Sequence, residues 1–497
     1  MASSLSLPPL NLFIVNFFTF SLFFLFLHKN LDEKKNIIFF FYGWSFGFGF
    51  FLTNLYWISI SLSFDQNFKL LIPFTIILIP AFLALFYGLI SLVFAIFNEK
   101  KIISSFLLFS LIFGLAEYLR GNLFTGFPWN LIVFSFSNQL EFLSIISIIG
   151  TFGMNLFCIT LFTCPALVIL GNYKKNFGIP VFLFLLCLTF YFYGSLYKNK
   201  FNNLDENYLD YKIRVIGSNI TLERFYSYDD PVSIIKELID LSEAKKDEKI
   251  IFVWPEGILP GVNQLKIRDY IRLFKENFNQ NHLLIIGINR DYIVNGSINY
   301  YNSLVLFDNN LNLLDSYNKI NLVPFGEFLP FEKILSKIGF KSLTNNYKPF
   351  SSGDKREIIK IENKDFVLKF LPLICYEIIY TGKLFNSSNF DFIINISEDG
   401  WFGNSVGPKQ HFAHSTFRAI ESGKYIVRST NNGSAAIINP LGIIEDRVKF
   451  NTSGYVELEK IKKNEITIFS KFGNKIFGII ILLYILLILS FNKIRNE

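Results

Sequence analysis

The chain has few cysteines, and their positions exclude a disulfide framework. Four are present in 497 residues, and Cys375 is the one cysteine between residues 200 and 470, the long polar region of the chain. Cys158, Cys164 and Cys187 lie in strongly apolar stretches that are typical of membrane spans. Because Cys375 has no partner in its own region, it is either a small buried apolar residue, a common fate of unpaired cysteine, or a reactive thiol.

Several features that would indicate other binding functions are missing as well. No basic stripe interleaved with aromatic residues is present, which argues against nucleic acid as a partner. No glycine-rich loop of the kind that holds phosphates occurs, and no cofactor is predicted. His411 and His414 are spaced i, i+3 but lack a third ligand cluster, so packing or hydrogen bonding is expected there and no metal site. No cleavable signal peptide is evident, since no basic residue precedes the first apolar run.

Charge is also scarce, and hydrophobic residues are abundant. The chain is 51% hydrophobic and 18% charged, with a mean hydropathy of +0.38, which is too apolar for an ordinary soluble enzyme of this length. A bilayer core needs about 20 apolar residues per helix. About seven spans are therefore expected, at 10–28, 37–60, 70–97, 102–119, 140–170, 178–196 and 475–491.

Lysine and arginine accumulate in alternate loops and in the tail. The basic segments are 28–35, 98–101, 172–175 and 493–495. The other loops are poorer, with Lys69 alone in 61–69 and Arg120 alone in 120–139. Because cytoplasmic loops collect lysine and arginine, we expect the basic segments in the cytoplasm and residues 200–470 on the periplasmic face of a bacterial inner membrane.

From about residue 212 the pattern changes to alternating strands and helices. Short β-branched or aliphatic runs predict strands at 213–219, 249–254, 283–289, 303–307, 366–374, 392–396 and 426–429. Helical patterns occur at 231–246, 263–277 and 408–423. This alternation predicts an α/β domain. The expected organisation is a membrane helix bundle of about six spans at 1–197, an α/β domain at 205–470 and a final membrane helix at 475–491.

Charged residues and a thiol occur in three segments, 253–257, 317–330 and 374–377, that break the strand pattern where strands end. Glu256, Lys319 and Cys375 lie 63 and 56 residues apart, so each comes from a different strand. Each has an ordinary alternative: Glu256 as a turn cap, Lys319 as a solvated surface residue, and Glu327 as its ion-pair partner on an exposed loop. As a set, however, a carboxylate, an ammonium and a thiol at strand ends favour a catalytic site, because loops on a rigid sheet usually carry the chemistry.

Glu256, Lys319 and Cys375, in this order, resemble the catalytic residues of the nitrilase, or carbon–nitrogen hydrolase, superfamily. Longer motifs are similar to those of the bacterial apolipoprotein N-acyltransferases within it. These motifs are 47–57 (GFGFFLTNLYW), 117–129 (EYLRGNLFTGFPW), 395–411 (NISEDGWFGNSVGPKQH), 418–421 (RAIE) and 428–433 (RSTNNG). The resemblance covers nearly the whole chain.

The resemblance implies a nitrilase-like αββα four-layer sandwich inserted in a polytopic transmembrane helix bundle. It also implies transfer of a fatty acyl chain from a phospholipid to the free α-amine of a diacylglyceryl-cysteine apolipoprotein, without a cofactor, by a monomer. The family normally has eight membrane helices, and seven are expected here. An odd number of spans puts the N-terminus outside, and segment 1–10, with Pro8 and Pro9, is interpreted as the remnant of a shortened or missing first span.

The family match assigns expected roles to individual residues. Glu256 is the expected general base and Cys375 the nucleophile that carries the acyl group as a thioester. Lys319, together with the backbone N–H of Tyr376, is expected to stabilise the oxyanion. The expected supporting residues are Glu327, which orients Lys319, and Tyr376 and Glu377, which flank the thiol.

Two positions depart from the family pattern. The family tends to have Trp seven residues after the asparagine matched by Asn219, where this chain has Tyr226. It often has Asn where this chain has Glu398, which is expected to change the hydrogen bonding near the acyl site. Tyr226, as a lid contact to lipid, and Trp401 are the expected substrate-binding residues.

Two other functions remain open from the sequence. A membrane-tethered nitrilase-type amidohydrolase would share the same three residues and use water as the acceptor. A transporter with a periplasmic binding domain is disfavoured, because the spans carry no array of intramembrane charges and Glu117 and Arg120 lie close to a helix end.

Overall fold

The computed structural model describes residues 1–32, 35–99, 101–170, 177–226, 230–294, 296–335, 337, 348–363, 366–382, 384 and 389–493. Of the basic segments expected in the cytoplasm, 172–175, Lys34, Lys100 and Arg495 lie outside these residues.

The described helices fall into an apolar set at both ends of the chain and a shorter set between them. They are α1 Ile14–Lys29, α2 Asn36–Leu55, α3 Ile72–Ile96, α4 Ile102–Arg120, α5 Leu140–Leu143, α6 Ile146–Thr163, α7 Pro165–Leu170, α8 Gly178–Asn202, α9 Pro231–Ser242, α10 Ile271–Asn277, α11 Glu332–Leu335, α12 Gly407–Ser422, α13 Ile468–Phe472 and α14 Lys475–Lys493. Short 3-10 segments are Ala2–Ser6, Tyr56–Phe64, Gln66–Leu71, Ile132–Phe136, Leu222–Phe225, Lys266–Tyr270, Cys375–Ile379 and Asp399–Phe402.

Six helical segments of the described chain are long and apolar enough to cross a bilayer. They are Asn36–Phe64, Gln66–Ile96, Ile102–Arg120, Ile146–Leu170, Gly178–Asn202 and Lys475–Lys493. The span expected at 10–28 is instead the 16-residue apolar helix α1, which is shorter than the roughly 20 residues of a typical span.

On α8, Phe182, Phe184 and Phe192 are 62–63% exposed. Such a continuous apolar surface is stable in lipid and costly in water.

The strands form one mixed sheet. Their bounds are β1 Glu206–Ser218, β2 Ile250–Val253, β3 His282–Val294, β4 Ser297–Asp308, β5 Leu313–Asn318, β6 Ile359–Asn363, β7 Phe366–Ile374, β8 Phe392–Glu398, β9 Tyr425–Asn431, β10 Ala436–Ile438, β11 Ile444–Arg447 and β12 Gly454–Lys462. The order is β5-β4-β3-β2-β1-β9-β8-β7-β6, with β12 beside β1 and the β10–β11 hairpin beside β9. Strands β3, β2, β1, β9, β8 and β7 run parallel, and the edges are antiparallel. All seven predicted strands are present.

The sheet folds back on itself, so that β4 meets β7 and β5 meets β6. Alternation along β2 shows the layers: Ile251 and Val253 lie in the core between the two halves, whereas Ile250 and Phe252 pack under α9 and α10. Helix α12 covers the other half through its buried apolar side chains. The expected αββα sandwich is thereby confirmed, and the central strands β2, β8 and β9 are buried along their whole length because both of their faces are covered.

Aromatic side chains join the sandwich to one end of the bundle. Trp57 and Trp129, from two membrane-side loops, lie 5.0 Å apart between ring centroids, and Phe402 of the sandwich lies 4.9 Å from Trp57. Trp129 Nε1 donates a hydrogen bond of 2.8 Å to Gln410 Oε1. Lys101, from a basic loop, contacts the last turn of α14 through the Phe491 carbonyl at the other end of the bundle. The sandwich and Lys101 therefore lie at opposite ends of the bundle.

A buried polar cluster completes this junction. Glu421 on α12 accepts hydrogen bonds from the backbone N–H of Thr151 (2.8 Å) and from the hydroxyls of Thr151 and Thr381. Arg418 binds Glu421 Oε2 at 2.9 Å and donates to the Thr151 hydroxyl at 2.7 Å. Gly150 has a φ of 70°, which interrupts the helical backbone and frees the Thr151 N–H for this contact.

We predict that Thr151→Val weakens the junction, because it removes a donor to Glu421 and an acceptor for Arg418. Each unsatisfied buried partner costs about 1–3 kcal/mol, so the Tm of the purified protein in detergent falls by several degrees. Thr160→Val is the matched control: its hydroxyl pairs with the neutral hydroxyl of Tyr484 inside the bundle, so its loss is expected to lower the Tm less than the loss of contacts to the charged Glu421 and Arg418. Equal Tm losses for both variants would contradict a special role for the junction.

Candidate active site

Glu256 lies directly after β2, where the sheet opens at the carboxyl ends of its parallel strands. Its side chain is 6% exposed. The neighbouring strand leaves room for this turn because residue 287 is glycine: a Cβ there would lie 2.3 Å from the Pro255 carbonyl oxygen. Gly287 thus permits the close approach that brings the carboxylate over the sheet.

Lys319 follows β5 and is buried, at 1% exposure. Its Nζ lies 3.1 Å from Glu256 Oε1 and 2.9 Å from Glu327 Oε1. Burial disfavours the charged ammonium, but the two carboxylates outweigh burial and hold the pKa of Lys319 well above its usual value. The expected pairing of Glu327 with Lys319 is thus present, in a buried site and not on an exposed loop.

Asn302 on β4 connects the two carboxylates. Its Nδ2 donates to Glu256 Oε1 at 2.7 Å and to Glu327 Oε1 at 2.8 Å. Sequence reasoning missed this residue, because the predicted strand began at Ser303, one position later. The available signal was a buried amide at the end of an otherwise apolar strand, where a polar group needs partners.

Cys375 begins the 3-10 turn after β7, with a φ of 48°. A left-handed backbone at a residue other than glycine costs roughly 1–3 kcal/mol and persists where the surroundings enforce it. Burial raises the pKa of the Cys375 thiol well above its usual value; the Glu256 carboxylate adds to this rise, and Lys319 opposes it. The thiol therefore rests neutral within the electrostatic reach of a carboxylate and an ammonium.

Glu377 holds the backbone on both sides of the thiol. One carboxylate oxygen accepts from the Ile374 N–H at 2.9 Å, and the other accepts from Tyr317 Oη at 2.6 Å and Arg356 Nη2 at 2.6 Å. The same oxygen accepts from the Ile320 N–H at 3.0 Å, next to Lys319. Despite burial, Arg356 and these donors keep the pKa of Glu377 below its usual value. Glu377 thus ties the turn of Cys375 to the loop of Lys319.

Comparison with known proteins identifies the group to which this arrangement belongs. Residues 1–164 match the family model described as "Apolipoprotein N-acyltransferase N-terminal domain", and residues 213–459 match the model "Carbon-nitrogen hydrolase". The apolipoprotein N-acyltransferase of Rickettsia prowazekii is 33% identical, over 97% of this chain and 95% of that protein. That of Rhodopseudomonas palustris is 30% identical, over 98% of this chain and 92% of that protein. The chain belongs to the apolipoprotein N-acyltransferase family.

Solved structures of the wider superfamily are more distant. The crystal structure of Saccharomyces cerevisiae Nit3, a member of branch 10 of the nitrilase superfamily, is 16% identical, with a TM-score of 0.35, and covers 50% of this chain and 90% of that one. An amidase from Nesterenkonia AN1, also of that superfamily, is 10% identical, with a TM-score of 0.33, and covers 52% of this chain and 94% of that one.

Tyr376 is one of the residues expected to flank the thiol. Its side chain is directed toward the membrane half. Its hydroxyl donates to the Gly126 carbonyl at 3.0 Å, and its ring stacks on Phe127 at 6.5 Å. Tyr380 Oη donates to the neighbouring Thr125 carbonyl at 2.8 Å. The turn that carries Cys375 is therefore anchored on the loop after α4.

Tyr226 and Trp401 both lie beside Phe225. Tyr226 is 39% exposed and follows the 3-10 segment that carries Phe225. The Trp401 ring lies 5.4 Å from Phe225 and 6.1 Å from Phe64 of the membrane half. Trp401 thus packs between aromatic residues of the two halves, and Phe225 lies beside Gly257, the residue after Glu256.

The two histidines of α12 make contacts within the protein. His411 Nδ1 lies 2.9 Å from Asp399 Oδ1, and the His414 ring lies 4.4 Å from the Phe134 ring. Within the described residues, no group of three or more His, Cys, Asp or Glu side chains is arranged to hold a metal ion.

We predict that Asn302→Leu destabilises the site, because it removes one donor from each of two buried carboxylates. Hydrogen bonds to charged groups contribute about 1.5–3 kcal/mol each, and a loss of 1 kcal/mol lowers the Tm of a domain of this size by about 2–4 °C. The Tm in detergent is therefore expected to fall by roughly 5 °C or more. Asn299→Leu, on the same strand and away from the carboxylates, is the control. A Tm unchanged by Asn302→Leu would contradict the bridging role.

Proposed function

We propose that the protein is an apolipoprotein N-acyltransferase that moves a fatty acyl group from a phospholipid to the N-terminal amine of S-diacylglyceryl-cysteine lipoproteins. The observation that carries the proposal is the buried Glu256–Lys319 ion pair beside a neutral thiol, at the face where the sandwich meets the membrane bundle. The nearly full-length similarity to proteins of that name supports it.

In the first half-reaction, Glu256 accepts the proton of the Cys375 thiol as the sulfur attacks the ester carbonyl of the phospholipid. A base is needed because burial keeps the thiol protonated. The ester oxygen becomes an oxyanion, which Lys319 and the backbone N–H of Tyr376 stabilise. When the intermediate collapses, the carbon–oxygen ester bond breaks, and Glu256 returns its proton to the departing lysophospholipid. The acyl group remains on Cys375 as a thioester.

In the second half-reaction, the neutral α-amine of the lipoprotein attacks the thioester carbonyl. Glu256 takes a proton from the attacking nitrogen, and the oxyanion forms again beside Lys319. The carbon–sulfur bond then breaks, the thiolate of Cys375 takes up the proton, and an amide is released. Because lysophospholipid leaves before the lipoprotein reacts, the kinetics are ping-pong.

The surrounding residues position these three groups. Glu327 holds Lys319 charged and in place, Asn302 fixes the carboxylates of Glu327 and Glu256, and Glu377 fixes the strained turn of Cys375. A preorganised donor directed at an oxyanion, as proposed for Lys319, lowers the barrier by about 2.7–4 kcal/mol. Tyr226 and Trp401 are proposed to contact the acyl chain.

The proposed setting is the periplasmic face of a bacterial inner membrane, with the protein acting as a monomer. Withdrawing an acyl chain from the bilayer costs about 0.8 kcal/mol per CH₂, so the thiol needs to lie at the membrane surface. The anchoring of the Cys375 turn on the loop after α4 supports this location. The position of Lys101 at the opposite end of the bundle, together with the lysine-rich sequence of alternate loops, supports the orientation.

We predict that phospholipid alone acylates Cys375. Intact-mass and peptide mass spectrometry after incubation without lipoprotein is expected to show one acyl adduct, on the peptide that contains Cys375. Cys375→Ser and Glu256→Gln are expected to abolish transfer to a diacylglyceryl lipopeptide while both variants still insert in the membrane. An adduct on Cys158, Cys164 or Cys187, or release of free fatty acid without transfer to the lipopeptide, would contradict the proposal; the latter result would favour the amidohydrolase-type alternative.

The proposed orientation is tested with two exposed positions at opposite ends of the bundle. In intact spheroplasts, a membrane-impermeant maleimide is expected to label Lys449→Cys in the sandwich, and to label Asn98→Cys in a basic loop only after lysis. The unsubstituted chain measures the background from its own cysteines. Labelling of Asn98→Cys before lysis, with protection of Lys449→Cys, would reverse the orientation.

A further inference from the structure

The carboxylate of Glu398 is buried at the end of β8 and has several donors. Its Oε2 pairs with Arg224 Nη2 and accepts from Asn431 Nδ2 at 2.8 Å. Its Oε1 accepts from the Gly400 N–H at 2.8 Å and from Asn432 Nδ2 at 3.4 Å. Contacts on both oxygens hold the side chain in one orientation, and the bond to Gly400 makes it the cap of the following turn.

Arg224 connects this carboxylate to the 3-10 segment Leu222–Phe225. The side chain is buried, at 2% exposure, and its Nη1 donates to the Thr221 carbonyl at 2.8 Å and to the Ile220 carbonyl at 3.3 Å. The guanidinium also lies 4.5 Å from the centroid of the Phe225 ring. Arg224 thereby fastens its own 3-10 segment to the end of β8.

The backbone of Glu398 in turn contacts the proposed general base. The Glu398 N–H donates to Glu256 Oε2 at 2.9 Å, whereas Lys319 and Asn302 bind Oε1. Oε2 has no cationic partner among these contacts. Its direction therefore depends on the orientation of the peptide that carries the Glu398 N–H. That peptide lies in the paired part of β8 and β9, at Ser397 and Glu398, and the cap to Gly400 and the pairing with Arg224 hold the Glu398 side of it in place.

We propose that Arg224 and Glu398 form a positioning pair that orients Glu256 for proton transfer through the Glu398 N–H. The inference rests on the proposed function, since it assumes that Glu256 exchanges a proton with Cys375. Neither residue of the pair touches the reacting atoms. Its effect is geometric, and misplacing a catalytic group by about 1 Å costs about 100-fold in rate.

The test replaces both partners at once, because removing one leaves an unpaired buried charge that endangers folding. The variant is Arg224→Met with Glu398→Leu. The matched control is Arg214→Met with Glu457→Leu: Arg214 is also buried, binds Glu457 at 2.6–2.7 Å and donates to two backbone carbonyls, those of Ser242 and Glu243. The control pair lies on β1 and β12, without a contact to Glu256 among its described hydrogen bonds.

The rate of thioester formation on Cys375 from phospholipid is measured by mass spectrometry in single turnovers. For the Arg224/Glu398 variant, the saturating rate is expected to fall between about 10- and 100-fold, with the half-saturating phospholipid concentration unchanged. The control variant, at a similar Tm, is expected to keep the rate of the original protein. An unchanged saturating rate, or an equal fall in both variants, would overturn the inference.

A second measurement separates this inference from the proposed function. If the original protein forms no thioester, the proposed function fails, and modification of Cys375 by iodoacetamide still reports the placement of Glu256. The modification rate of the Arg224/Glu398 variant is then expected to move toward that of Glu256→Gln. A rate equal to that of the original protein would overturn the positioning role.

Discussion

The site depends on the ammonium of Lys319, held between the carboxylates of Glu256 and Glu327. Two carboxylates sharing one buried site would repel each other, and one would take up a proton. Lys319 lies between them and binds both, and Asn302 donates to both, so that three polar side chains share one buried site with their hydrogen-bonding groups paired. Breaking such a buried pair by removing one member is far more costly than its net contribution to stability suggests, because an uncompensated charge remains.

Cys375 is held by a different set of forces. It adopts a left-handed backbone that Glu377 supports, by accepting from Ile374 before the thiol and from Tyr317, Ile320 and Arg356 on the neighbouring elements. Burial raises the pKa of the thiol well above its usual value. The proposed nucleophile therefore needs a base, which is the role proposed for Glu256.

Much of this architecture is predictable from sequence, because strand positions follow from β-branched runs and charged residues at strand ends demand partners. Glu256, Lys319, Glu327 and Cys375 are found in this way, and parallel strands bring their ends together. Asn302 could not be predicted as a site residue, because a single amide in an apolar strand forms no local sequence pattern. The pairing of Arg224 with Glu398 could not be predicted for another reason. The two residues are 174 positions apart, and neither segment contains a pattern that identifies the other as its partner. Tyr376 is located correctly along the chain, but its contact with Gly126 depends on how two halves of the molecule meet.

The contact between Tyr376 and Gly126 is one of several that join the sandwich to the membrane half. Tyr376 and Tyr380 rest on the carbonyls of residues 125 and 126, Gln410 binds Trp129, and Glu421 binds Thr151. An excised sandwich, produced as a water-soluble fragment, would keep its sheet and its three reactive side chains. It would also expose the surface on which they rest, and the turn that bears the sulfur would keep its contacts with Glu377 but lose those with residues 125 and 126. The loop after α4 therefore supports the proposed active site as well as joining the two halves.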